Sequence, residues 1–341
     1  MIIKTFHVKK FISLLLTFIF ICVTSITTPI VLSASKNTND KNEKINWVDF
    51  SITYQALSDT LDADLNSYDK KTKLNWVELL AYLGTKYGGN FRKYKKSDLS
   101  NLICEIENGN DIEKMGTKLG NYNYYKEAYG AVLDGFVGEF EVETDPKDSN
   151  GNKIIEKKYG LKAFSPIARG YSYSHYDDFG SSRSYGFRRK HLGHDLMGGI
   201  GTPIIAVESG IVENVGWNQY GGWRIGIRSF DKKRYHYYAH LRKDHPYNNI
   251  YEGKIVKAGD VIGYLGMTGY STKENVNNIN VPHLHYGLEL IFDEKRREEK
   301  YEIWIDVYAL CKLLEKNKSA VYQEGKEYYR QNNVFFSETE E

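Results

Sequence analysis

A change in hydrophobic periodicity near residue 144 divides this sequence into two parts that fold differently. From residue 45 to about 140, apolar residues recur at helical spacing, as in the segment from Trp76 to Gly88-Gly89. Beyond the turn-rich residues 144–153, glycine becomes frequent and short β-branched runs alternate with turns. Short strands without intervening helices indicate an antiparallel sheet. We therefore predict an α+β protein in which a small helical domain precedes an antiparallel β-sheet domain.

The boundaries of these parts follow from the polar segments between them. A chain of 341 residues has room for about two domains. We expect a helical domain of unknown role at residues 45–143 and the sheet domain, with a C-terminal helix, at residues 157–315. The remaining segments are predicted as a signal peptide or membrane anchor at 1–34, a polar tether at 35–44, a linker at 144–156 and a polar tail at 316–341.

The first 34 residues have the pattern of a secretory signal peptide. Lys4, Lys9 and Lys10 precede an apolar run from Phe11 to Ile26, and the small-residue site Leu32-Ser-Ala-Ser35 follows. The run could instead remain as a membrane anchor, because about 20 apolar residues span a bilayer. We expect cleavage and an exported protein. Without cleavage, the protein would be anchored in the membrane with its domains outside.

The charge balance excludes one class of function. The sequence has 46 lysine and arginine residues against 44 aspartate and glutamate residues, a formal net charge of +2. A protein that binds nucleic acid through bulk attraction to phosphates carries a much larger basic excess. We therefore expect no nucleic-acid partner.

Eight of the nine histidines lie between His175 and His285, where three local patterns contain candidate metal ligands. These patterns are His191-Leu-Gly-His-Asp195, Tyr237-Tyr-Ala-His240 and His283-Leu-His285. On a strand, residues i and i+2 project from the same face, so His283 and His285 can point into one pocket. Histidine and carboxylate ligands suit zinc, and three protein ligands plus one water are typical of a catalytic zinc site. A closed site of four cysteines is excluded, because the chain has only three.

Together these motifs resemble the catalytic domain of the lysostaphin/LytM-type zinc metalloendopeptidase family, whose members are peptidoglycan hydrolases. The resemblance covers about residues 165–295 and implies a LytM-type peptidase domain within the predicted sheet domain. The matching pieces are Phe179-Gly180, His191-x-Gly-x-Asp195, Gly201-Thr-Pro-Ile-Ile-Ala206, Tyr238-Ala-His240-Leu, Gly266-Met-Thr-Gly269 and Pro282-His-Leu-His285.

The resemblance also implies a role for each candidate residue. His191, Asp195 and His285 would bind Zn²⁺. His240 and His283 would be catalytic residues that flank the attacking water and the reacting carbonyl. The implied function is an exported zinc-dependent endopeptidase that acts on peptidoglycan cross-links or stem peptides and is secreted or located in the cell wall.

A catalytically idle scaffold of the same fold is the alternative. Such a protein would bind the cell wall, or an envelope or sporulation partner through the helical domain. The presence of all five site residues favours the enzyme.

The polar insertion Lys273–Val281 departs from the family pattern, in which the Ser-Thr turn runs almost directly into Pro-His-x-His. We interpret it as an enlarged loop beside the cleft, which leaves the cleaved bond open. Five nearby titratable residues are interpreted as lying outside the site: His175, Asp177, Asp178, His194 and His236.

Overall fold

The structure is a computed structural model that describes residues 48–147, 152–185, 188–294 and 302–336. The predicted signal peptide or anchor at 1–34 and the tether at 35–44 lie outside the described residues. Within the described ranges, no helix combines the length and the apolar character that a membrane crossing requires.

Helices α1 to α5 form the N-terminal part. They are α1 (Tyr54–Ser67), α2 (Trp76–Tyr87), α3 (Lys96–Glu107), α4 (Ile112–Thr117) and α5 (Tyr122–Leu133). Side-chain oxygens of Thr53, Asn75 and Asp111 accept backbone N–H groups in the first turns of α1, α2 and α4. Helix α2 ends at Gly88, whose left-handed φ of 62° suits glycine, as the Gly88-Gly89 pair predicts.

An antiparallel sheet follows the helices, so the predicted fold class is confirmed. Its strands are β3 (Tyr173–Tyr176), β6 (His194–Gly198), β8 (Gly210–Asn218), β9 (Gly222–Ser229), β10 (Arg234–Ala239), β11 (Ile255–Val256), β13 (His283–Leu290) and β14 (Ile303–Trp304). They are ordered β11-β8-β9-β10-β13-β6-β3, and β14 pairs with β13. Strand β13 therefore lies between β10 and β6, which places three histidine-bearing segments side by side.

Smaller elements surround this sheet. Two antiparallel pairs are β4 (Ser182–Arg183) with β5 (Arg189–Lys190), and β7 (Pro203–Ile205) with β12 (Val261–Tyr264). Helix α6 (Tyr308–Leu314) lies within the predicted segment 157–315 and packs against α1.

Residues 144–156 are not an irregular linker in the parts that the structure describes. Strand β1 (Val137–Lys147) pairs with β2 (Lys153–Leu161) as an antiparallel hairpin. The turn-rich composition of this segment marks the connection between the strands rather than a domain boundary. Strand β1 carries the alternation of a half-buried strand in Glu139-Phe-Glu-Val-Glu143, whereas β2 is exposed over its first six residues. Lys153 Nζ lies 3.2 Å from Glu143 Oε2 across the hairpin.

The predicted polar tail at 316–341 contains strands up to residue 336. Strand β15 (Val321–Glu324) pairs with β16 (Glu327–Arg330), and β17 (Val334–Phe335) pairs with β1. Polar residues here are bonded to the sheet domain: Tyr264 Oη donates a 2.6 Å hydrogen bond to Glu327, and Arg330 donates a 2.8 Å bond to the Ala258 carbonyl. These hydrogen bonds, together with the buried side chains of Val334 and Phe336, pack a polar sequence against the sheet domain.

One hydrophobic core is continuous from the helices into the sheet. It includes the fully buried Leu57 and Leu80 from α1 and α2, and Ile225 and Leu284 from β9 and β13. Each such side chain contributes about 1.5–3 kcal/mol when fully buried. The described residues accordingly belong to a single compact unit, Ile45–Glu341.

A buried ion pair links α5 to the sheet. The Arg234 guanidinium is 2% exposed and binds Glu208 through two hydrogen bonds of 2.8 and 2.7 Å. A third nitrogen donates to the carbonyl of Ala131 in α5 at 3.0 Å, and His236 Nε2 lies 2.8 Å from Glu208 Oε2. Burial raises the pKa of Glu208, but the charge of Arg234 and the bonds from His236 and Arg234 outweigh it and lower this pKa to about 2.

We expect Glu208→Gln to lower the free energy of unfolding at pH 7 by about 2–4 kcal/mol, because the buried guanidinium of Arg234 would keep only Asp231, 3.0 Å away and 37% exposed, as a counter-ion. The pKa of Glu208 in the folded protein lies below its ordinary value of 4.5. Its ionisation therefore stabilises the fold above about pH 4.5, and this contribution is lost as the pH falls toward about 2. Urea denaturation at pH 7 and pH 3 measures the difference between wild type and variant, which should shrink at the lower pH.

The exposed pair Lys316–Asp62, at 3.0 Å, supplies the control for this measurement. Asp62→Asn should change stability by less than about 1 kcal/mol. Equal effects of the two substitutions would contradict the structural role given to the buried pair.

Candidate active site

The register of three strands brings the predicted site residues together. Asp195 on β6 lies directly opposite His285 on β13, and His285 also lies opposite Ala239 on β10. His240 follows Ala239, and His283 is two residues before His285 on the same face. All five residues that the sequence nominates therefore surround one point, while their roles stay a prediction.

Three potential ligand atoms form a small triangle. His191 Nε2 lies 2.8 Å from His285 Nδ1 and 3.0 Å from Asp195 Oδ1, and the last two atoms are 3.1 Å apart. Tetrahedral zinc with ligand distances of about 2.0–2.1 Å requires ligand atoms about 3.3 Å from one another. The triangle therefore has nearly the dimensions of three corners of a zinc tetrahedron.

The chemistry of the donors also fits a cation. His191 Nδ1 lies 2.8 Å from Asp178 Oδ1, so the ring proton belongs on Nδ1 and Nε2 carries a lone pair. That lone pair faces the carboxylate of Asp195. Two acceptors at 3.0 Å repel each other unless a positive ion lies between them, so the residues present fit zinc.

A glycine between the two ligands permits this geometry. A Cβ atom on Gly193 would lie 2.5 Å from two ring atoms of His285, much closer than real Cβ atoms approach. The imidazole of His285 occupies the space that any other side chain would fill. The glycine in the middle of His191-x-Gly-x-Asp195 is therefore required for the packing of the candidate metal site.

Asp178 belongs to the site, which corrects the sequence-based interpretation that it lies outside. Its side chain is 13% exposed, and its second oxygen accepts hydrogen bonds from Arg183 and from Ser181 Oγ. A carboxylate behind a metal-binding histidine fixes the ring and raises its basicity. Arg183 also lies 3.4 Å from Asp195 Oδ2. Neither Asp178 nor Arg183 lies in a recognisable motif, although the pairing of β4 with β5 brings Arg183 to the site.

His240 and His283 present matching ring nitrogens to the site. Each Nδ1 lies 2.8 Å from a backbone carbonyl, of Thr268 for His240 and of Val281 for His283. A carbonyl only accepts, so Nδ1 carries the proton and Nε2 of the neutral ring is a proton acceptor. His283 Nε2 lies 3.8 Å from Asp195 Oδ1, and the ring centres of His240 and His283 are 4.8 Å apart. Both bases therefore border the triangle of ligand atoms.

The backbone of His240 is held in an uncommon conformation. Its φ is +61°, and its N–H donates a 2.7 Å hydrogen bond to Gly221. Burial, together with the neighbouring rings of His283 and His285, holds the pKa of His240 well below its ordinary value. Its imidazole is therefore neutral at pH 7. Strained backbone of this kind is found where surrounding structure over-determines a functional side chain.

A cleft of about 720 Å³ opens over these residues. The insertion Lys273–Val281 contributes Asn278 to Val281 to its wall, as predicted for a loop beside the cleft. Aromatic residues line much of the rest, including Tyr220, Tyr237 and Trp304. An extended polymer segment could lie in this groove with the metal triangle at its floor.

The other excluded histidines lie away from the triangle. His194 points to the opposite face of β6, where its Nε2 lies 2.7 Å from His175 Nδ1; His175 in turn lies 2.7 Å from Glu315. Burial, with the charge of His175 next, lowers the pKa of His194 to about 4. His236 is buried against Glu208. The positions of His194 and His236 are consistent with their exclusion from the metal site. His175 lies in a packed cluster with His194 and Glu315.

Part of this chain is similar in sequence to known proteins. The model of peptidase family M23 matches residues 189–297. The chain is 42% identical over 123 residues to the L-Ala–D-Glu endopeptidase of Bacillus subtilis (strain 168), covering 36% of each protein. It is 41% identical over 97 residues to lysostaphin of Staphylococcus simulans, covering 28% of this chain and 17% of lysostaphin. The chain thus spans about a third or less of these relatives.

A solved structure extends the likeness of the fold. The crystal structure of a protein from Ruminococcus gnavus, proposed to be a glycyl-glycine endopeptidase of the LytM type, aligns with a TM-score of 0.50 and 20% identity. The alignment covers 81% of this chain and 92% of that one, so the shared fold extends well beyond residues 189–297. The five clustered residues all lie inside the matched segment. The likeness to peptidase family M23 therefore rests on residues 189–297, about a third of the chain.

Proposed function

We propose that this protein is an exported, zinc-dependent endopeptidase that hydrolyses peptide bonds in the cross-links or stem peptides of peptidoglycan. The observation that carries this proposal is the convergence of three potential ligand atoms, from His191, Asp195 and His285, beside two histidines whose Nδ1 atoms donate to backbone carbonyls. The printed activity of the Bacillus subtilis relative, an L-Ala–D-Glu endopeptidase, supports the substrate class. The apolar N-terminal pattern supports export to the wall.

His191, Asp195 and His285 would hold the metal. When bound, zinc supplies a Lewis acid that lowers the pKa of a water to about 7 and polarises a carbonyl. Asp178 orients the ring of His191 from behind, and Arg183 offsets part of the negative charge of the two carboxylates.

His240 and His283 would move the protons. In hydrolysis, a water oxygen adds to the carbonyl carbon, the carbon–nitrogen bond breaks, and a proton passes from the water to the departing amine. The Nε2 atom of either histidine can accept the first proton and deliver it to the amine nitrogen, because Nδ1 is already bonded to a carbonyl. The protonated ring can also donate to the oxyanion.

An idle scaffold would not require this machinery to be intact. The helices could still bind a protein partner, and an uncleaved N-terminal segment would add a membrane association. Both of these remain proposals that rest on the sequence.

The purified full chain should contain about one zinc per molecule, because three ligands and one water complete its tetrahedral shell. Asp195→Ala and His285→Ala should each remove most of it. Elemental analysis by mass spectrometry measures the content. His245→Ala, on an exposed histidine paired with Glu327, is the matched control and should keep the metal. Full zinc occupancy in either ligand variant would disprove the assignment.

Asp178→Asn should weaken zinc binding by about 10- to 100-fold, since an amide does not stabilise the Nδ1 proton of His191 as a carboxylate does. Competition with a chelator measures the affinity. The neighbouring, exposed Asp177→Asn is the control and should bind zinc like the wild type. An affinity for Asp178→Asn within twofold of wild type would remove Asp178 from the site.

His240→Ala and His283→Ala should retain zinc and lose about two to four orders of magnitude in turnover, because a proton-transfer or oxyanion group is absent. Release of peptides from purified peptidoglycan, followed by mass spectrometry, measures turnover and identifies the bond. If His283→Ala lost as much zinc as His285→Ala, the division of roles within His283-Leu-His285 would be incorrect. A zinc-loaded wild type that binds wall without cleaving it would favour the scaffold.

A further inference from the structure

Arg189 lies in the wall of the cleft, and none of the ion pairs formed by the described residues involves its guanidinium. We propose that Arg189 binds a carboxylate of the substrate beside the scissile bond, so that the enzyme acts on acidic stem peptides rather than on uncharged glycine bridges. This inference rests on the proposed function and specifies the substrate of the same site.

The strand geometry places Arg189 near the reaction centre. It lies on β5, two residues before the ligand His191, and alternate residues of an extended chain project to the same side. Their Cα atoms are about 6–7 Å apart at the usual rise per residue. A substrate group bound by Arg189 would therefore lie no more than about one substrate residue from the triangle of potential ligand atoms.

The guanidinium is held in place without being neutralised. One nitrogen donates a 3.1 Å hydrogen bond to the carbonyl of Tyr185. The guanidinium carbon lies 4.8 Å from the ring centre of Tyr220 and 5.0 Å from that of Tyr270. Tyr185 stacks on Tyr270 at 5.0 Å, which adds to the rigidity of this wall. These partners orient a positive charge and leave several N–H donors for an anion.

The neighbouring Arg183 differs from Arg189 because its charge is already paired. Arg183 is the cross-strand partner of Arg189, and it also lines the cleft. Its guanidinium forms ion pairs with Asp178 and Asp195, and Ser181 Oγ accepts a hydrogen bond from its other terminal nitrogen. Of this pair, Arg183 supports the metal site and Arg189 is available for substrate.

The chemistry of recognition identifies the substrate class. A guanidinium pairs with a carboxylate through two parallel hydrogen bonds, which fixes orientation as well as charge. A glycine bridge offers no carboxylate between its ends. A glutamyl residue linked through one of its carboxyl groups keeps the other free. We therefore expect an acidic residue of this kind directly beside the bond that is cut.

Two synthetic peptides that differ in one group test the inference. Both contain the linkage L-Ala–D-Glu, and in one of them the free carboxylate of the D-Glu residue is replaced by a carboxamide. Calorimetric titration of the zinc-loaded, full-length His283→Ala variant measures binding without turnover. The same titration is repeated on this variant after Arg189→Gln, Arg189→Lys or Arg188→Gln has been added to it. Arg188 is exposed, bonds Ser182 and does not line the cleft, so its variant is the matched control.

The acidic peptide should bind about 10- to 100-fold more tightly than the amide, as for other charge-assisted hydrogen bonds. Arg189→Gln should abolish this preference by weakening the acidic peptide alone, Arg189→Lys should restore part of it, and Arg188→Gln should leave it intact. Equal binding of both peptides, or an equal loss of both in Arg189→Gln, would overturn the assignment.

Wall digestion by the wild type separates the two proposals. Digestion without a preference for the carboxylate would overturn the role of Arg189 and leave the endopeptidase function standing. An Arg189-dependent preference for the carboxylate without digestion of wall would support the recognition site and overturn the hydrolytic function.

Discussion

The antiparallel register of β13 is the constraint on which the site depends. Leu284, Tyr286 and Leu288 alternate with the histidines and are fully buried on the core side of the sheet. A slip of one residue would expose these three apolar side chains and turn His283 and His285 into the core. The burial of these apolar side chains therefore determines which face of the strand carries the imidazoles, independently of any metal or substrate.

Around this strand, the group next to Nδ1 differs from ring to ring. A carboxylate oxygen of Asp178 lies 2.8 Å from Nδ1 of His191, whereas backbone carbonyls accept from Nδ1 of His240 and His283. A carboxylate raises the basicity of a metal-binding imidazole, and a proton on Nδ1 leaves the Nε2 atom of a neutral imidazole as a proton acceptor. These three imidazoles thus divide into one candidate metal ligand and two candidates for proton transfer through atoms that are not themselves in the reaction.

Local spacing in the sequence predicted much of this arrangement. The features that depend on contacts between residues distant in the sequence were not predicted. The i, i+2 spacing of His283 and His285 is visible in the sequence, as is the switch from helical to strand periodicity. Asp178 was missed because its contact with His191 depends on a loop that folds back over thirteen residues. The hairpin β1–β2 was missed because the turn-rich residues between its strands resemble a linker, although Glu139-Phe-Glu-Val-Glu143 alternates as a half-buried strand does. The strands after residue 316 were missed because they are short and polar.

The hydrogen bond from Arg234 to the carbonyl of Ala131 also bears on how such a chain can evolve. Recombination spreads modules most easily when few contacts cross their boundaries. Here a buried cation of the sheet has one of its donors satisfied by a helix, and the core is continuous across the same junction. A graft of residues 157–315 into another chain would therefore need a substitute for that helical carbonyl and a cover for the part of the core that the helices now bury.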